Sequence, residues 1–261
     1  MPRTLPVLLL ALAAGGLLPE SASARAGIEH GPVELAVVDR DDDQWLAPAP
    51  HRGQDWIAGT PGHRYSVRLT NTTGQRVLVV LSVDGVNAIS GQTAHPSQTG
   101  YVLGPWQSTQ VQGWRKSLDH VAQFVFTDLP DSYAARTGRP DNVGVIGIAV
   151  FQEAPPYAYE PPYAARDRSE RATEKSATAP AQSRADAAAQ SIGTGHGAQE
   201  WSRVDRTDFV RASRTPAQIR ELRYDDCDAL LARGVPRLCV ASNDRPQAFP
   251  GGFVADPPYR Y

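Results

Sequence analysis

In the first half of the chain, apolar residues either alternate with polar residues or form short continuous runs, and turn residues separate these segments. Arg64–Leu69 alternates, which places Tyr65, Val67 and Leu69 on one face of a half-buried strand. Arg76–Val86 is a continuous run rich in valine and leucine, as in a strand buried on both faces. The other predicted strands are Val33–Val38, Tyr101–Leu103, Ser108–Trp114, Val121–Thr127 and Val143–Phe151.

This pattern predicts a mainly β protein, because none of these segments has the spacing of a long amphipathic helix. Short strands separated by turns are typical of an antiparallel β-sandwich of the jelly-roll or immunoglobulin-like type. We therefore predict that residues 28–153 form a β-sandwich domain.

The composition changes after this domain. Residues 154–191 begin with repeated Pro-Pro-Tyr units and continue as a tract rich in alanine, serine, arginine and glutamate. A tract without large apolar residues cannot bury enough surface to offset its chain entropy. These residues therefore predict a disordered linker.

Residues 192–261 predict a small α+β segment that packs on the sandwich. Thr207–Arg211 and Gln218–Tyr224 have the composition of strands. A short helix follows them, and the proline-rich end at Pro246–Pro258 is predicted to be irregular. The residues that predict the helix are the caps Asp225 or Asp226, the apolar Ala229, Leu230 and Leu231, and the stop Gly234.

The first residues of the chain predict a signal peptide. Leu5–Leu18 is an apolar run, and Ala22 and Ala24 form the small-x-small pattern that precedes cleavage. The run is too short to span a bilayer, which takes roughly 20 residues. We therefore predict that residues 1–24 are removed, with cleavage after Ala26 as the alternative, and that the protein is exported to the periplasm or cell exterior.

Composition and charge narrow the classes of function. The formal net charge of −2 provides no basic surface for nucleic acid, so we expect no nucleic-acid partner. A hydrophobic fraction of 41% is enough for a folded core. No later segment reaches membrane length, so no stable membrane insertion is expected after signal cleavage. No motif for a cofactor is present, and none is predicted.

Two cysteines, Cys227 and Cys239, lie twelve residues apart near the C-terminus. In an oxidising compartment such a pair predicts a disulfide, which would contribute about 3 kcal/mol in the chain-entropy model. Two buried free thiols are the alternative. No further cysteine or histidine has the spacing of a structural zinc site, so no metal site is predicted.

Asp39–Asp43 begins like a calcium-binding loop. An EF-hand loop also needs glycine at its sixth position and glutamate at its twelfth, and this chain has Gln44 and Pro50 there. A solvated hairpin turn is the preferred interpretation, with weak incidental calcium binding as the alternative.

Two long connections, Ser90–Thr99 and Asp128–Asn142, interrupt the predicted strands. Loops held by a rigid sandwich often carry binding residues, although a plain surface crossover is the alternative. The second loop concentrates hydroxyl, acidic and basic groups. The candidate ligand-binding residues are Asp128, Asp131, Ser132, Tyr133, Arg136, Asp141, Asn142 and His196.

His196 lies in the glycine-rich string Gly193–Gly197. A phosphate-binding loop needs a preceding strand, a following helix and usually a lysine, and these are absent from the local pattern. The string therefore predicts a turn that starts the second ordered region. A ligand contact through His196 is the alternative.

No catalytic residue is predicted. The six histidines are scattered, and the sequence contains no Gly-x-Ser-x-Gly string. The aromatic residues Trp56, Tyr101, Trp106 and Trp114 are predicted to be core, with a carbohydrate platform as the alternative.

Several strings resemble those of a family of uncharacterised exported bacterial proteins with no assigned activity. The resemblance covers both predicted ordered regions and implies that they belong to one protein, but it implies no activity, cofactor or catalytic residue. The strings are Val83–Asn87, Ser97–Leu103, Gly113–Ser117, Phe126–Asp128, Ser132–Gly147, Gly193–Gly197 and Tyr224–Asp225.

The sequence therefore predicts an exported envelope protein that acts as a non-enzymatic binding or structural module. Its partner would be an envelope protein or an extracellular ligand. The alternative is a secreted or periplasmic hydrolase that uses the loop Ser132–Asn142 and His196.

Overall fold

The computed structural model describes residues 31–155 and 190–239. The predicted signal peptide, most of the predicted linker and the proline-rich end lie outside these residues. The strands are β1 (Val33–Asp39), β2 (Gln44–Leu46), β3 (Ala49–His51), β4 (Gln54–Ala58), β5 (Arg64–Asn71), β6 (Val77–Val83), β7 (Val86–Asn87), β8 (Tyr101–Leu103), β9 (Ser108–Val111), β10 (Gly113–Arg115), β11 (His120–Asp128), β12 (Val145–Gln152), β13 (Ile192–Trp201) and β14 (Gln218–Asp225).

These strands form two sheets. In the first sheet the order is β10-β11-β5-β1-β2, with β13 paired to β11 and β9 paired to β5. In the second sheet the order is β3-β4-β14-β12-β6-β7, with β8 paired to β6. All pairs of strands are antiparallel except β4 and β14, which run parallel. The predicted mainly β sandwich is confirmed.

The main core lies between the inner faces of the two sheets. Tyr65, Val67 and Leu69 of β5 are fully buried, as their alternation predicts. Strand β6 is buried along nearly its whole length because its outer face is covered as well. Leu78 and Val80 of β6 pack on that outer face in a second, smaller apolar cluster.

The C-terminal segment supplies strands to both sheets rather than only packing on them. Strand β13 pairs with β11 in the first sheet, and β14 pairs with β12 and β4 in the second. The strand predicted at Gln218–Tyr224 is confirmed as β14.

The strand predicted at Thr207–Arg211 is wrong. These residues cross the outer face of the second sheet, where Phe209 packs against the cluster around Leu78 and Phe151. The guanidinium of Arg211 lies 4.0 Å from the centre of the Phe151 ring and donates hydrogen bonds to two carbonyl groups of the Ser90–Thr99 loop. The segment pairs with the chain at the end of β12 only through one isolated antiparallel bridge, between Glu153 and Arg211, so its apolar residues mainly reflect packing on a sheet face.

The turn predicted at Gly193–Gly197 is also wrong, because these residues lie within β13. Their glycines permit close packing: a Cβ atom at Gly193 would lie 2.6 Å from Cβ of Ser132. A Cβ atom at Gly197 would lie 2.7 Å from the side chain of Val125, next to a β-bulge in which two residues of β13 oppose Gln123.

The predicted C-terminal helix is confirmed as α2 (Cys227–Ala232). Asp226 caps it by accepting a hydrogen bond from the backbone N–H of Ala229 at 2.8 Å. Gly234 follows with a φ of 81°, the left-handed conformation that ends many helices. The predicted disulfide between Cys227 and Cys239 is confirmed, and it closes this helix over a small cluster that contains Trp56 and Leu230.

A fully buried carboxylate joins the two sheets. Asp84 and Gly85 form the tight turn between β6 and β7, with φ values of 53° and 70°. The Asp84 side chain turns inward, where it accepts hydrogen bonds from the backbone N–H groups of Gly144 (2.8 Å) and Thr194 (2.7 Å) and from the hydroxyl of Tyr224 (2.6 Å).

The Thr194 hydroxyl extends this network, because it lies 2.6 Å from the hydroxyls of both Tyr65 and Tyr224. Tyr65 and Thr194 belong to the first sheet, and Tyr224 belongs to the second. All four side chains are fully buried. The network therefore links both sheets and the start of β12 through one acidic group.

Burial raises the pKa of Asp84 to about 6, although hydrogen bonds from Tyr224, Thr194 and Gly144 favour the ionised form. A pKa above that of the unfolded chain means that stability from this group is present at low pH and is lost as the pH rises.

The free energy of unfolding of the wild type, relative to that of Asp84→Asn, should therefore fall by about 2 kcal/mol between about pH 4 and about pH 7. The asparagine variant is the reference because residue 84 then does not titrate. Urea denaturation of both proteins at several pH values measures the difference. A difference in the free energy of unfolding between wild type and Asp84→Asn that grows with pH in favour of the wild type would contradict the raised pKa of Asp84.

Candidate functional site

A cavity of about 350 Å³ lies between the second long loop and β13. Its lining combines one acidic, one basic and two aromatic side chains with a hydroxyl group. The lining residues are Asp131, Tyr133, Arg136, Thr137 and His196.

A single turn of helix, α1 (Tyr133–Arg136), positions three of these residues. Ser132 caps it through a 3.2 Å hydrogen bond that its hydroxyl oxygen accepts from the N–H of Ala135. The Thr137 hydroxyl donates to the carbonyl of Tyr133 at 2.8 Å, and the guanidinium of Arg139 donates to the Thr137 oxygen at 2.9 Å. These bonds fix a turn that would be too short to be stable alone.

His196 reaches the cavity from the inner face of β13. Ile192 and Thr194 point into the core, and residues two apart on a strand share a face. His196 lies opposite Phe124 in the register of β11 and β13, but it is exposed because the strand has reached the margin of the core there. The cavity therefore lies at the edge of the core, between β13 and the second long loop.

An aromatic cluster supports the cavity from below. Trp114 is 3% exposed, and its ring centre lies 4.8 Å from that of Phe124 and 4.9 Å from that of Tyr133. The ring centre of His196 lies 5.6 Å from that of Tyr133 and 6.3 Å from that of Trp114. The half-buried ring of Tyr133 and the exposed ring of His196 thus both lie next to the buried ring of Trp114.

The first long loop lies behind α1. The guanidinium of Arg139 donates a 3.2 Å hydrogen bond to the carbonyl of Gly91, and it also lies over the ring of Tyr133 at 5.8 Å. The two long loops predicted to carry binding residues are therefore in contact, although only the second one lines the cavity.

The electrostatic environment of the cavity is positive near His196. Partial burial of the ring lowers the pKa of His196 below its usual value, and the nearby charges of Lys116 and Arg136 lower it further. The imidazole is therefore neutral at neutral pH. Within the described residues, the side chains of Asp131 and Arg136 form no hydrogen bond or ion pair with other groups.

The structure brings four of the candidate residues together at this cavity: Asp131, Tyr133, Arg136 and His196. The other four have different places. Ser132 is fully buried as the helix cap, and the remaining three, Asp128, Asp141 and Asn142, are exposed and do not line the cavity. Thr137 lines it but was not among the candidates, although it lies within the nominated loop.

The aspartate-rich segment forms the predicted hairpin turn between β1 and β2. One carboxylate oxygen of Asp39 accepts hydrogen bonds from the N–H groups of Asp41 and Asp42, and the other lies 2.9 Å from Nδ1 of His63. This hydrogen bond raises the pKa of His63. Asp39, Asp42 and His63 lie close enough to share a cation, but the contacts of Asp39 already explain the cluster as a turn.

Two of the aromatic residues predicted to be core, Trp56 and Trp114, are buried. Tyr101 is partly buried. The prediction for Trp106 is wrong, because it is 70% exposed in the turn between β8 and β9 with a φ of 57°. A residue at the tip of that turn cannot reach the interior.

Comparison of the chain with protein-family models, curated proteins and solved structures finds no significant match. In residues 31–155 and 190–239, neither α-helix has the length and apolar character needed to cross a membrane.

Replacing Lys116 by glutamine should raise the pKa of His196, because one of the positive charges that disfavour the imidazolium is removed. NMR titration of the histidine ring protons measures this pKa. His63 is the internal control, because its pKa depends on the aspartates of the β1–β2 turn. A His196 pKa that stays the same or falls would show that Lys116 does not act on this ring.

Proposed function

We propose that the protein is an exported, non-enzymatic binding protein that takes a small anionic ligand in the cavity between α1 and β13. The observation that carries the proposal is the position of the Arg136 guanidinium, which lines the cavity without a partner among the described residues. A guanidinium in this state is suited to bind a carboxylate or a phosphate group through two parallel hydrogen bonds.

The charges around the cavity support an anionic ligand. Lys116 and Arg136 both act on His196, so the field at the imidazole favours negative charge. Asp131 is the acidic group of the lining and provides an acceptor for a ligand hydroxyl or amine. A volume of about 350 Å³ lies at the small end of the range for ligand cavities, roughly 300–1,000 Å³.

The binding function is favoured over hydrolysis by the environment of Ser132. A serine nucleophile needs an accessible hydroxyl with a general base in hydrogen-bond reach. The Ser132 side chain is fully buried, and its oxygen accepts the hydrogen bond that caps α1. Among the described residues, the ring of His196 forms no hydrogen bond with a serine or an acidic side chain.

The proposed location rests on the first residues of the chain and on the disulfide. The signal-like segment at residues 1–24 implies export, and disulfides persist in oxidising compartments such as the periplasm. A binding protein with a small exposed cavity is compatible with either the periplasm or the cell exterior.

Mass spectrometry of the protein recovered from an envelope or culture fraction tests the location. The expected N-terminus is Arg25 or, for the alternative cleavage, Gly27. Recovery of the protein only from the cytoplasm with Met1 retained would contradict export.

Replacing Arg136 by glutamine should lower the affinity of the full-length chain for small anions at least tenfold, about 1.4 kcal/mol, because a charge-assisted hydrogen bond is lost. The probes are acetate, inorganic phosphate and glucuronate, and the measurement is NMR titration of the amide signals of the cavity residues. Arg214→Gln is the matched control, since Arg214 is exposed and lies outside the cavity lining.

The proposal fails if none of these anions shifts the signals of Asp131, Tyr133 or His196. It also fails if Arg136→Gln binds them as tightly as Arg214→Gln does.

A further inference from the structure

We infer that the anionic ligand is an acidic sugar, a single pyranose ring that carries a carboxylate. This inference rests on the proposed function and narrows its ligand class. It is carried by the combination of opposite charges and aromatic rings that line one cavity.

The cavity is lined by two side chains of opposite charge, the carboxylate of Asp131 and the guanidinium of Arg136. Asp131 ends the short 3-10 turn Leu129–Asp131, and Arg136 ends α1. The two side chains form no ion pair with each other. A ligand that satisfies both must bring an anionic group for Arg136 and hydrogen-bond donors for Asp131. A simple anion such as phosphate would leave Asp131 facing like charge.

The rings add a requirement for an apolar surface on the same ligand. The Tyr133 and His196 ring planes are inclined by 34°, and their centres lie 5.6 Å apart. The buried ring of Trp114 lies next to both of them, with ring centres 4.9 Å and 6.3 Å away. The C–H face of a pyranose packs on such rings, while its hydroxyl groups remain free for polar contacts.

The neutral state of His196 also suits hydroxyl groups. Burial and the charges of Lys116 and Arg136 keep the imidazole unprotonated, so it has one donor and one acceptor nitrogen. A sugar hydroxyl can use either nitrogen. Thr137 adds little selectivity, because its hydroxyl already bonds the carbonyl of Tyr133 and the guanidinium of Arg139.

A zwitterionic amino acid is the nearest competitor, because it also carries an anion and a donor. Its ammonium group could pair with Asp131, but it would also face the positive charges of Lys116 and Arg136. It also offers a smaller apolar face to Tyr133 and His196. The observations therefore favour the acidic sugar.

Isothermal titration of the full-length chain with glucuronate, glucose, acetate and alanine tests the inference. Glucuronate should bind at least tenfold more tightly than acetate, and glucose and alanine should bind more weakly than glucuronate. Asp131→Asn should lower the ratio of glucuronate to acetate affinity at least fivefold, because hydroxyl groups lose their charged acceptor.

Tyr133→Leu should lower the same ratio, whereas Tyr133→Phe should preserve it, because the ring face is what packs on the sugar. The ring signals of His63, which precedes β5 and contacts Asp39 outside the cavity lining, report whether each variant remains folded. A folded Asp131→Asn or Tyr133→Leu variant that leaves the ratio unchanged overturns the inference.

The outcomes separate the two proposals. Equal binding of acetate and glucuronate, with a loss in Arg136→Gln, overturns the sugar and leaves the anion site standing. Tighter binding of alanine than of glucuronate also overturns the sugar. Absence of binding by every probe overturns both proposals.

Discussion

The arrangement of the sandwich depends on one buried carboxylate. The side chain of Asp84 points from its hairpin turn into the core, where it accepts hydrogen bonds from Gly144, Thr194 and Tyr224, all at 2.6–2.8 Å. Removing a charge of this kind from water costs several kcal/mol unless its oxygen atoms are fully hydrogen-bonded. The surrounding groups must therefore keep their positions together, which couples strands that are far apart in the sequence.

This coupling also positions the cavity. Thr194 is held by Asp84 and by two tyrosine hydroxyls, and His196 lies two residues further along the same strand. Because Thr194 is fixed by these hydrogen bonds, the position of His196 on the inner face of the strand is fixed as well. On the other side, Ser132 packs against Gly193 and caps the helix that carries Tyr133 and Arg136. The two walls of the cavity share this contact between Ser132 and β13.

The sequence predicted the strands whose burial produces a recognisable local pattern of apolar and polar residues. Burial of one face gives β5 its alternation, and burial of both faces gives β6 its continuous apolar run. Strand β13 has no such pattern, because the glycines at 193, 195 and 197 replace every second residue. They are required by close contacts with Ser132, Val125 and other residues distant in sequence, and a single sequence does not reveal such contacts.

The candidate site was predictable to a similar extent. A loop rich in polar residues between apolar strands indicated Asp131, Tyr133 and Arg136, and an isolated histidine among glycines indicated His196. The direction of one helical turn decides which residues of that loop face the cavity. The sequence does not reveal this direction, so the predicted ligand-binding residues include the buried Ser132 and omit Thr137, which lines the cavity. Local sequence also failed to predict the exposure of Trp106, because that exposure follows from its position at the tip of a turn.

The central claim is that the cavity between α1 and β13 binds an acidic sugar. A crystal structure of the protein soaked with glucuronate tests it most directly. Electron density for the sugar is expected in the cavity, with its carboxylate within hydrogen-bond distance of the Arg136 guanidinium. An empty cavity, with the sugar bound elsewhere or not at all, would show that this cavity is not the sugar site.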